Sequence, residues 1–138
     1  MATFQILLLS AAAHGLVPLE PCEAGGRGGR WGLCGVAGGA AVTLRGSNYI
    51  RLGPSSKMYH STFDQGTYNR SRFAAAFDAM RRDGYNVNRV FLDELANRGI
   101  GGNASDPSAP PLDGAMLDRI AEYVGDAAER HIYSIVTM

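Results

Sequence analysis

Residues 84–93 read GYNVNRVFLD, and the fold turns on how this stretch is read. Val87, Val90, Phe91 and Leu92 form a short apolar run of β-branched and aromatic types, the composition of a packed strand. Its centre holds Arg89, whose guanidinium stays charged at any working pH. Strand alternation sends Val87, Arg89, Phe91 and Asp93 to one face and Asn88, Val90 and Leu92 to the other. In an open parallel sheet covered on both faces, a lone cation under packed helices would be costly. In a β/α barrel the same arginine points inward, toward the catalytic mouth, so Arg89 favours the barrel.

Working outward, residues 70–83 carry Phe73, Ala76, Phe77 and Met80 at helical spacing. Asn69 or Ser71 caps that helix, and Gly84 supplies the left-handed residue that closes it. After the quoted strand, residues 94–111 form a long loop broken by glycines and prolines, the kind that is functional or disordered. Asp113 then caps a helix over 114–130 with an apolar stripe of Met116, Leu117, Ile120, Ala121, Val124, Ala127 and Ala128. IYSIVT at 132–137 is a further core strand. Upstream, arms at 31–36 and 40–44 flank Gly38 and Gly39 as a hairpin. Residues 45–50 read as a strand with a turn allowed at Gly46. The alternation of strands and helices predicts right-handed βαβ crossovers and a parallel sheet.

The 138 residues suffice for one domain, whereas a closed eight-stranded barrel takes roughly 250. The expected fold class is therefore α/β: an N-terminal hairpin plus the first three strands and two helices of an incomplete (β/α)8 TIM barrel. Thirteen basic and thirteen acidic side chains cancel, which disfavours nucleic acid or an anionic membrane as a partner. Residues 1–30 read as a signal peptide and Gly-rich linker, with residues 31–138 as the barrel portion. The apolar run at 4–13 is too short to span a bilayer. Ala11, Ala13 and Ala24 suit leader cleavage, but no Lys or Arg precedes the run, so export and an unstructured start both stay open. AGGRGGR at 24–30 fits a linker better than an RNA-binding tract. Two sequons, at Asn69 and Asn103, are compatible with secretion. Cys22 and Cys34 are able to pair in an oxidising compartment, unless cleavage after Ala24 removes Cys22. Two cysteines without a His cluster make no zinc site, and no cofactor is expected.

Three segments together carry a resemblance: LRGSNY at 44–49, GYNVNRVF at 84–91 and HIYSIV at 131–136. In order and spacing they resemble the first three strands of cellulase-like glycoside hydrolases, the retaining (β/α)8 enzymes of glycoside hydrolase family 5 and its relatives. That family's wording is L-R-G-x-N, then G-x-N-x-V-R-V, then G-I-Y-V-I. The resemblance runs from about residue 31 to 138, and no single segment is specific. It implies that Arg89 hydrogen-bonds a nucleophilic carboxylate and holds it ionised, a task suited to a planar, permanently charged fork. Asn48 and Tyr49, at the end of the first strand, are then expected to line a substrate cleft, with His60, Phe63 and Asp93 on its rim. Two positions depart from the pattern: Asn88 stands where the family has an aliphatic, and His131 replaces a helix-ending glycine.

Retaining hydrolysis needs two carboxyl groups about 5–5.5 Å apart. The family places them after strands four and seven, beyond the resemblance. Asp93 and Glu94 are the only acid pair at a strand end here and are more economically read as solvated loop acids. The expected function is thus a secreted-type fragment of a retaining glycoside hydrolase acting on β-linked polysaccharide or glycoside, inactive alone. The competing reading is a non-catalytic carbohydrate-binding or scaffold remnant. A nucleotide-binding protein is disfavoured, because no phosphate-binding glycine motif opens a helix.

Overall fold

The computed structural model describes residues 16–23, 31–36, 39–50, 62–92 and 113–137. In chain order these give β1 (Leu19–Glu23), β2 (Trp31–Gly35), β3 (Ala41–Val42), β4 (Gly46–Tyr49), α1 (Arg70–Arg82), β5 (Val87–Phe91), α2 (Gly114–Glu129) and β6 (Tyr133–Thr137). They assemble into one antiparallel sheet, ordered β1-β2-β3, and one parallel sheet, ordered β4-β5-β6.

The expected hairpin is present as β2 and β3, but it has a third strand. β1 lies in the stretch read as leader and linker, and its sequence LEPCE gives little strand signal. Pro21 has no N–H to donate, and the structure places it on an edge strand, where a missing donor is tolerated. A disulfide joins Cys22 of β1 to Cys34 of β2.

Both helices begin and end as their sequences dictate. The Asn69 side chain accepts from Arg72 N–H at 2.9 Å, and Asp113 accepts from Met116 N–H at 3.0 Å. At the end of α1, Tyr85 N–H donates to Met80 C=O and Gly84 N–H to Arg81 C=O, with Gly84 at φ +77°. α2 ends with the same pair of bonds, Ile132 to Ala127 and His131 to Ala128, but here a histidine holds the left-handed position at φ +57°. The departure noted at His131 is thus a glycine role filled by a side chain that is strained there.

Both helices cover one face of the parallel sheet. Phe73 and Phe77 of α1 and Met116, Ile120, Tyr123 and Ala127 of α2 enclose Val90 and Leu92. Tyr123 is the hub: its ring lies 5.0 Å from Phe73, 4.9 Å from Phe77 and 5.3 Å from Phe63. Its hydroxyl donates to Asn88 Oδ1 at 2.8 Å, while Asn88 Nδ2 donates to Ser134 Oγ at 2.9 Å and to Tyr133 C=O at 3.2 Å. The fully buried amide at position 88 is therefore satisfied on both its atoms. The expected stripe of α2 omitted Tyr123 and Asp126, which are buried, and included Leu117 and Ala121, which are exposed.

The barrel expectation is corrected. The described residues form two helices and two small sheets, one antiparallel and one parallel, rather than part of a (β/α)8 barrel. Among the described residues the parallel sheet has three strands, with β5 between β4 and β6. Strand–helix alternation and parallel neighbours are shared by every βαβ layer. Barrel closure depends on the tilt and stagger of many strands together, and no three strand sequences encode it.

Candidate functional site

Register sets what the face opposite α1 and α2 presents. In-register neighbours form rows across β4, β5 and β6: Gly46–Val87–Tyr133, then Asn48–Arg89–Ile135, then Phe91–Thr137. The first row needs a glycine. A Cβ on Gly46 would overlap the carbonyl oxygen of Val87 and lie 2.6 Å from its carbonyl carbon. Asn86 secures the approach from below: its Oδ1 accepts from Arg45 N–H at 2.8 Å and its Nδ2 donates to Thr43 C=O at 2.9 Å. An amide side chain here substitutes for a strand's backbone and holds the start of β4 against β5.

Arg89 occupies the middle row, half-buried, with both helices on the opposite side. Its Nε donates to Thr137 Oγ1 at 2.9 Å, and its guanidinium carbon stands 4.4 Å from the centroid of the Phe91 ring. A cation over an aromatic face is attracted by the ring quadrupole. These contacts fix the planar fork near the C-terminal ends of the strands, where open α/β sheets present their ligand sites. Asn48 is exposed on the adjacent edge strand in the same row. The site offers amide and guanidinium donors, a hydroxyl and one aromatic face. Among the described residues no carboxylate pairs with Arg89.

The other expected site residues are placed differently. Tyr49 alternates to the helix face, where its ring packs 5.7 Å from Tyr123 and 6.4 Å from Phe77. Phe63 is 1% exposed and meets Tyr123 edge-on, while Arg119 Nε donates to its backbone carbonyl at 2.6 Å. Both rings therefore belong to the core, not to an open rim. His60 and Asp93 lie outside the described residues. Sequence reasoning missed Phe91 and Thr137 as partners of Arg89. The first was legible, being two residues along the same strand; the second required the register of β6.

A second concentration of charge joins the helices. Arg70 grips Asp126 through Nε at 2.9 Å and Nη2 at 2.8 Å, and reaches Glu122 through Nη1 at 2.8 Å. The Tyr68 hydroxyl donates to Glu122. Burial first, then that hydrogen bond and the neighbouring carboxylates, push the Tyr68 phenol well above its ordinary range. Arg70 is driven still higher, chiefly by its bonds to Asp126. Every member is matched, so the cluster is an inter-helix clasp. Among the described residues no group of three or more His, Cys, Asp or Glu could hold a metal ion, and no helix is long and apolar enough to cross a membrane.

No family model matches this sequence, and no curated protein or solved structure matches it.

Proposed function

We propose that the chain takes part in the retaining hydrolysis of β-linked glycosides, with Arg89 holding the nucleophilic carboxylate ionised and both reacting carboxyl groups outside the described residues. The supporting observation is the placement of Arg89: on the face opposite α1 and α2, near the strand C-termini, oriented by Phe91 and Thr137. A guanidinium held in this way loses little freedom when it pairs with a carboxylate, and its charge lowers that group's pKa. Asn48, beside it in register, is the sugar-binding amide.

A second reading is favoured by the grouping of the Arg89 guanidinium, the exposed Asn48 amide in the same row and the Phe91 ring. Arg89, Asn48 and Phe91 would then form a saccharide-binding surface without chemistry. One experiment separates the two. Aryl β-glycosides and β-linked glucan oligosaccharides are assayed for cleavage, and binding is followed by chemical shifts of the amides of Asn48, Arg89 and Thr137. Cleavage that falls about a hundredfold in Arg89→Ala, the scale of losing one charge-stabilising donor, with KM nearly unchanged, supports hydrolysis. Binding at these amides without cleavage supports the second reading. Neither binding nor cleavage sinks both.

A further inference from the structure

We propose that Asn69 is an N-glycan acceptor and that the folded chain carries an oligosaccharide on the N-terminus of α1. Asn69-Arg70-Ser71 is an N-x-S sequon without proline. Asn69, Arg70 and Ser71 are all exposed. Asn69 is the helix cap, in extended conformation at φ −148°, and only its Oδ1 is used, accepting from Arg72 N–H at 2.9 Å. Among the described residues its Nδ2 has no partner. Glycosylation and capping thus use different atoms of one amide, and the linkage leaves Oδ1 as an acceptor. The middle residue, Arg70, is turned onto Asp126 and Glu122 rather than onto Asn69, and the Asn69 side chain is exposed.

The second observation concerns the compartment. The bond between Cys22 and Cys34 leaves no free cysteine among the described residues. Disulfides persist in oxidising lumens and extracellular space, the environment in which N-glycans are added. The transfer balances with a lipid-linked oligosaccharide diphosphate as donor. The bond from sugar C1 to the diphosphate oxygen breaks, the C1–Nδ2 bond forms, one Nδ2 proton leaves to the transferase base, and the lipid diphosphate departs. No oxidation or reduction occurs.

The test is to secrete the full chain, with Asn103→Gln to remove the other sequon, from a eukaryotic host. Amidase release in heavy-oxygen water marks an occupied site as a labelled aspartate, which peptide mass spectrometry reads. The expected result is label at position 69 and a mobility shift that is lost in Ser71→Ala, which leaves the cap untouched. Asn69→Asp, which keeps a good cap, is expected to be secreted without the shift, showing that the acceptor and not the fold was removed. An unlabelled Asn69 in the secreted chain, whatever the state of the cysteines, overturns the proposal, as does a shift that survives Ser71→Ala.

Discussion

Single residues settle several backbone questions. His131 holds a left-handed position, where a Cβ crowds the following carbonyl. His131→Gly should therefore raise stability by about 1 kcal/mol, read as a higher urea midpoint with unchanged slope. Gly46 is the reverse case. Gly46→Ala should cost about 1–3 kcal/mol, the range for forcing atoms into filled space, because its methyl would meet not only the Val87 side chain but also the Val87 carbonyl, which is backbone of β5 and cannot swing aside. Arg89→Met separates two roles at the candidate site: stability should change little, since the side chain is half-exposed and packs on one ring, while any saccharide-induced shift at Thr137 should vanish.

At the scale of elements, the helices and the parallel sheet meet at a polar-centred aromatic cluster. Tyr123 is buried and bonded to Asn88, and burial first, then Tyr49, pushes its phenol well above the ordinary tyrosine range. Tyr68 and Tyr133 are shifted the same way, both led by burial. An unfolded tyrosine loses its proton near pH 10, while the folded ones retain theirs, so above that pH the native state binds more protons. The stabilisation is complete below about pH 10 and declines as pH rises toward the folded pKa values. The tyrosine contribution to the urea midpoint should be constant up to about pH 10 and fall above it. The tyrosinate absorbance contributed by Tyr68, Tyr123 and Tyr133 should appear with unfolding rather than before it; their early ionisation in folded protein would contradict this packing.

For the whole molecule, the two sheets are distinct bodies of hydrogen bonds. They meet where Tyr133 Oη donates to Val17 C=O at 2.7 Å and where Leu16 packs against Ala128 and Tyr133. Among the described residues no side chain of the antiparallel sheet belongs to the main core, so its order depends heavily on the Cys22–Cys34 bond, whose short loop is worth about 3 kcal/mol on the chain-entropy account. Reduction should therefore raise amide exchange across β1 and β2 while β5 stays protected; equal loss in both sheets would show that they unfold together. The sequence alone determined both helices, the Asp113 cap, a strand within 84–93 and the alternation of its two faces, because these follow from local spacing, turn chemistry and the period of two; it left Asn69 and Ser71 both open as the cap of α1. It left β1 hidden, since an edge strand built around Pro21 needs a partner to be seen as one. It also assigned Tyr49 and Phe63 to a cleft, although hydrophobic burial draws both rings against Tyr123. Only the tertiary structure decided that the described strands divide into one antiparallel and one parallel sheet rather than part of a barrel, and that Arg89 meets both Phe91 and Thr137. Curvature and cross-strand register arise from many strands packing at once, and no one strand's residues encode them.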